Sequence, residues 1–153
     1  MTIRSKAVIG LLAVSVIWMG SATRAHAQSV GVRAGLSASP DQFYVGMHYQ
    51  TQPLVDRLHF RPNAEIGFGD DVTLVALNVE FAYKIPLQRT EWGLYLGAGP
   101  ALNLFHTTGD TNPEGGFNFL VGLEHRRGLF TEFKVGALDS PSVKFCVGYA
   151  FKP

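Results

Sequence analysis

From Ser29 to the end of the chain, apolar side chains recur at every second position, the period of a β-strand and not the 3.6-residue period of a helix. A first run sets Val30, Val32, Ala34 and Leu36 against Gly31, Arg33 and Gly35, and a second sets Phe43, Val45, Met47 and Tyr49 against Tyr44, Gly46 and His48. The third alternates Leu58, Phe60, Pro62, Ala64, Ile66 and Phe68 with His59, Arg61, Asn63, Glu65 and Gly67. The fourth alternates Val75, Leu77, Val79, Phe81, Tyr83 and Ile85 with Ala76, Asn78, Glu80, Ala82 and Lys84, and the fifth continues from Trp92 to Leu104 opposite Gly93, Tyr95, Gly97, Gly99, Ala101 and Asn103. Three more apolar stripes follow: Phe117, Phe119, Val121 and Leu123; Leu129, Thr131, Phe133, Val135 and Ala137; and Val143, Phe145, Val147, Tyr149 and Phe151. Turn-forming residues separate the runs, among them Ser39-Pro40-Asp41, Gln52-Pro53, Gly69-Asp70-Asp71, Arg126-Arg127-Gly128 and Asp139-Ser140-Pro141, with the longest connection at 106–116. The pattern predicts an all-β fold of eight antiparallel strands in up-and-down order. Pro62 and Pro100 each remove a ladder donor, so bulges are expected there.

Two eight-stranded barrels fit such a chain, one being the other turned inside out. A soluble, lipocalin-like barrel buries its apolar face around a ligand, whereas a membrane barrel turns it to lipid and fills the lumen with polar side chains. Three features favour the transmembrane barrel. The apolar face carries no charge and Thr131 is its only polar member, while the opposite face is too rich in glycine and too poor in charge for a solvated exterior. Aromatic residues gather at the strand ends: Tyr49, Phe60, Phe81, Tyr83, Trp92, Tyr149 and Phe151 towards one rim, and Phe43, Phe68 and Phe117 towards the other, where interfacial girdles belong. The strands are about ten residues long, the length a tilted membrane-crossing strand needs.

The first 27 residues break the pattern. Arg4 and Lys6 precede an uncharged apolar stretch from Ala7 to Met19, and small residues follow up to Ala25-His26-Ala27, the layout of a signal peptide cleaved after Ala27. The expected organisation is a signal peptide at 1–27 and a barrel domain at 28–153. Loss of Arg4, Lys6 and Arg24, with no acidic residue, turns the formal charge from +1 to −2. With 16% charged residues the chain is unlike a nucleic-acid binder, and its single cysteine supplies neither an internal disulfide nor a cysteine-built zinc site. No cofactor and no metal centre are expected.

An even number of strands places both chain ends at one rim, the periplasmic one in outer-membrane barrels. The outer connections then hold Asp41, Asp70, Asp71, Asp110, Glu114 and Asp139 without a lysine or arginine, and the inner turns hold Arg57, Arg89, Arg126 and Arg127. Carboxylate oxygens suit hard divalent cations, so Asp70, Asp71, Asp110 and Glu114 are candidate ligands for the cations that bridge lipopolysaccharide phosphates.

The glycine-spaced strand GLYLGAGPAL at 93–102 and the closing strand VKFCVGYAF at 143–151 resemble the small eight-stranded outer-membrane barrels of the OmpA/OmpX type, within the outer-membrane β-barrel domain family. The resemblance covers 28–153. It implies residence in the cell outer membrane, contact with membrane lipid and lipopolysaccharide, and recognition by the barrel-assembly machinery through the aromatic-ended last strand, although Lys152 and Pro153 follow Phe151 here. It implies no particular activity, because fold and function are separable.

The inward charges are Arg33, Arg61, Lys84, Lys134 and Lys144 with Glu65, Glu80 and Glu132, and Glu124 near a rim. Burying unpaired charge is costly, so a lumen-crossing network is expected. Wide channels need about 16 strands, which leaves only a narrow ion path as a pore alternative. An enzyme acting on lipid A would draw on His106, Thr107, Thr108 and Asp110, a set with no serine nucleophile beside the histidine. His48 and His59 read as lumen or rim hydrogen-bonding groups, and Cys146 as small-residue packing. The residues thus point to a structural or interaction protein without catalysis, with a pore, a lipid A-modifying enzyme and a soluble lipocalin-like binder as the alternatives.

Overall fold

The computed structural model describes residues 28–152; the segment 1–27, expected from the sequence to be a signal peptide, lies outside the described residues. Strands β1 (Ser29–Ala38), β2 (Gln42–Gln50), β4 (Leu58–Phe68), β5 (Thr73–Pro86), β6 (Trp92–Thr107), β7 (Asp110–His125), β8 (Leu129–Leu138) and β9 (Val143–Phe151) form the wall, and a three-residue strand β3 (Pro53–Val55) folds against β4. Every wall strand pairs antiparallel with its neighbours, and β1 joins β9 while β2 joins β4, so the sheet closes without a free long edge at mid-height. The paired residues spiral. Starting from Leu36 near the outer end of β1, the register steps through Phe145, Phe133, Val121, Leu96 and Tyr83 and arrives at Leu58, at the inner end of β4. That descent is the stagger that tilted strands need in order to close.

Burial settles which face is inside. Val32, Phe43, Met47, Val79, Phe119, Phe133 and Val147 stand exposed on the exterior, whereas Arg33, Arg61, Glu65, Glu80, Glu132, Lys134 and Lys144 are buried. The apolar stripes therefore face out, and the lipocalin-like arrangement with an apolar cavity is not the one observed.

The chain departs from the sequence expectation at three places. The segment 106–116 is not a long loop: β6 and β7 pair through His106↔Thr111 and Thr107↔Asp110, closing on a tight turn in which Gly109 has φ 99°. Asp110 and Glu114 consequently lie on a strand. β8 meets β7 only from Gly116↔Leu138 inward, so 110–115 project as an edge, and an edge tolerates Pro113 because no second neighbour needs its missing donor. The expected bulges at Pro62 and Pro100 are absent, since the registers run unshifted past both, and the two prolines flank Val79 from either side. Finally, the Gln52-Pro53 turn becomes β3, which turns back at Asp56 (φ 50°) to pair Val55 with Leu58.

Candidate functional site

The interior is built by pairing large rings with glycines. Tyr95 lies opposite Gly122, Phe130 opposite Gly148 and His48 opposite Gly31. A Cβ at any of these glycines would run into the facing ring, so the glycine content of the inward face is the space into which the lumen side chains fold.

Into that frame the chain places a continuous ionic network. The Glu132 carboxylate accepts from Arg33 Nη1 at 2.6 Å, Arg61 Nη1 at 3.2 Å and the Tyr95 hydroxyl at 2.8 Å. Lys134 Nζ donates to Glu80 at 2.7 Å and Glu65 at 3.0 Å, and Lys144 Nζ donates to the other Glu65 oxygen at 2.6 Å. Arg33 stands 3.5 Å from a second carboxylate, Glu65, and Lys134 stands 3.5 Å from a third, Glu132, which joins the pairs into one cluster. Arg61 and Arg33 also stack over Tyr95 and Phe130, with 4.7 and 5.5 Å from guanidinium carbon to ring centre. An amide relay extends it: Asn118 donates to Asn78, Asn78 to Asn63, and Asn63 to Glu80, at 2.8, 2.6 and 2.7 Å. Such charges persist in a dry interior only when each is paired and hydrogen-bonded.

At the inner rim Glu124 stands 2.8 Å from Lys84 and 2.6 Å from Lys152, a half-exposed clasp tying Lys152 to β5 and β7. His59 Nδ1 lies 2.9 Å from the Thr51 carbonyl, and His48 meets the Phe130 ring edge-on at 5.2 Å. Cys146 is buried against the lumen. The inner-end aromatics include the touching pairs Phe60–Phe81 and Tyr149–Phe151, with centroids 5.4 and 5.2 Å apart, and Trp92 stands exposed beside His125. Tyr49 and Tyr83 are exposed on the same wall. At the other end Phe43 and Phe68 pair across β2 and β4, and Phe117 is level with the outer end of β8 through its partner Ala137.

The acidic outer residues do not converge. Asp41 and Asp70 line one open recess with Phe43 and Phe68, Asp71 follows in the same turn, and Asp110 and Glu114 stand apart on the β6–β7 projection. Among the described residues no three metal-ligating side chains come together. His106 does not meet Thr107, Thr108 or Asp110; its Nδ1 lies 2.8 Å from the Thr111 hydroxyl across the hairpin, with no carboxylate bonded to the imidazole. The charged residues were the sequence signal for the lumen. Tyr95 and the asparagine relay sit on the same inward register and were legible only by position, since neutral amides do not announce a network.

These features define a class: a closed eight-stranded antiparallel barrel with an apolar exterior and an ion-paired interior. Solved outer-membrane barrels share the fold. The chain superposes on Neisserial surface protein A with a TM-score of 0.59 at 16% identity, covering 82% of this chain and 95% of that one. It matches the N-terminal β-barrel domain of Pseudomonas aeruginosa OprF with a TM-score of 0.54 at 16% identity, over 80% and 97% of the two chains. The outer membrane enzyme PagL matches with a TM-score of 0.52 at 12% identity, over 82% and 99%. No protein-family model matches the sequence, and no curated protein matches it. At such identities the likeness concerns the fold.

Proposed function

We propose that the protein is an integral outer-membrane barrel of the structural or interaction type, delivered by cleavage of the 1–27 signal peptide and inserted by the barrel-assembly machinery through β9. The observation that carries this reading is the wall itself: where the eight wall strands enclose the lumen, short of the β6–β7 projection, the exposed face is apolar and the charges are inside, an arrangement that is unfavourable in water and favourable in lipid. The lumen network serves as a rigid polar core that holds the narrow barrel shut. The acidic outer end faces lipopolysaccharide, where Asp70, Asp71, Asp110 and Glu114 share divalent cations with lipid phosphates in place of a protein-only metal site. Nucleic acid is not a partner, and the reading assigns no catalysis.

Fractionation tests it. The protein should sediment with outer membranes, resist extraction by carbonate, and migrate faster on gels when unheated; recovery as a soluble periplasmic protein would overturn the reading. A narrow ion path is the second reading, favoured by Arg33 having an alternative carboxylate, Glu65, 3.5 Å away. Discrete conductance in planar bilayers would support it and silent bilayers would remove it. For catalysis the His106–Thr111 pair is the feature to test, and lipid A of unchanged mass in cells with and without the protein counts against an enzyme.

A further inference from the structure

The inner end of the barrel carries arginines that no group among the described residues answers. Turns 87–91 and 126–128 lie side by side, joined by the Arg126 amide donating to the Glu91 carbonyl at 2.8 Å. They present Arg89, Arg126 and Arg127, all exposed, and among the described residues none of the three guanidinium groups makes an ion pair or a hydrogen bond. The platform beneath them is ordered. Arg127 N donates to His125 Nδ1 at 3.1 Å, Gly128 N donates to the His125 carbonyl at 2.8 Å, and His125 Nε2 stands 3.1 Å from Glu91. Glu91, the one carboxylate on these two turns, is thereby drawn to the histidine, and the neighbouring Glu124 is held by Lys84 and Lys152. The His125 ring packs edge-on against the exposed Trp92, 4.9 Å between centroids. A tryptophan of this kind settles at the headgroup level of a bilayer. Guanidinium groups match phosphate oxygens in a bidentate geometry that lysine cannot reproduce.

We infer that Arg89, Arg126 and Arg127, with Trp92, form a binding site for the phosphate headgroup of an anionic phospholipid in the leaflet facing the inner end of the barrel. This rests on the membrane reading above and adds to it a lipid preference and a location. The two ends then complement two chemically different leaflets: carboxylates at the outer end take cations shared with lipopolysaccharide, and arginines at the inner end take the phosphodiester directly.

The test uses the signal-cleaved protein in nanodiscs of phosphatidylcholine mixed equally with phosphatidylglycerol, followed by native mass spectrometry of the lipids it retains. Three interfacial arginines predict a preference for phosphatidylglycerol of up to roughly a hundred-fold. Combined Arg89→Gln, Arg126→Gln and Arg127→Gln substitution should abolish the preference, while Asp70→Asn with Asp71→Asn should leave it intact. These residues are on exposed turns, and unheated gel migration verifies that the barrel of each variant is intact. Equal retention of the two lipids, or a preference that survives the triple substitution, would overturn the site while leaving the membrane reading in place. Failure to enter nanodiscs at all would overturn both.

Discussion

Glu132 and Phe133 are neighbours in β8 and lie on opposite sides of the wall. Glu132 is 1% exposed and accepts from two arginines and a tyrosine; Phe133 is 42% exposed and meets nothing polar. Two residues, one strand and a single backbone path thus meet two different environments, because successive side chains of a strand point to opposite faces. The comparison teaches where the low charged fraction of the chain comes from. One whole face of every strand excludes charge, and the charges that remain are concentrated where they can neutralise one another.

The comparison can be broken from either side. The largest effect is expected inside: Glu132→Ala leaves Arg61 buried without its carboxylate and Arg33 with only Glu65 at 3.5 Å, and should cost about 3 to 5 kcal/mol, measured by urea unfolding in lipid vesicles. Next door, Phe133→Arg places a charge on the exterior near mid-height and should cost about 2 to 4 kcal/mol in a bilayer, against about 0 to 1 kcal/mol for Leu129→Arg at the inner rim. That depth dependence belongs to a lipid-facing wall; a water-facing wall would tolerate both arginines alike. Gly99→Ala tests the backbone between the two environments. Its new Cβ would press on the Val79 carbonyl oxygen and the Glu80 Cα, atoms that cannot rotate away, so a loss of about 1 to 3 kcal/mol is expected from overpacking, read by the same unfolding midpoints. Lys152→Gln, which opens the half-exposed clasp on Glu124, should cost at most about 1 kcal/mol. A larger loss there would mean that the chain end supports the barrel more than its exposure suggests.

How far the sequence foretold this depends on where two faces differ. In β1, β5 and β8 the alternation is legible because one side of each strand carries no charge while every charged residue lies on the other, and the strands and their facing follow directly. The β6–β7 projection was unreadable for the converse reason: beyond the rim neither face is buried, alternation carries no information, and a stretch with Gly109, Pro113, Gly115 and Gly116 reads as a loop. Pro62 and Pro100 misled because a missing donor was equated with a bulge, whereas the register accommodates both without a shift. The inward position of the charges was legible, but their partners were not. Arg33 and Glu132 are 99 residues apart in the chain, and only closure of the barrel brings them to 2.6 Å.

The central claim is that the exposed apolar wall faces lipid, and fluorescence quenching tests it most directly. In a Trp92→Phe background, Phe133→Trp is reconstituted in bilayers whose lipids carry bromines near the acyl-chain ends or close to the headgroup. The account predicts strong quenching of Trp at 133 by the deep bromines, and of native Trp92 by the shallow ones in the otherwise unaltered protein. Emission from position 133 that no brominated lipid quenches, at either depth, would contradict it.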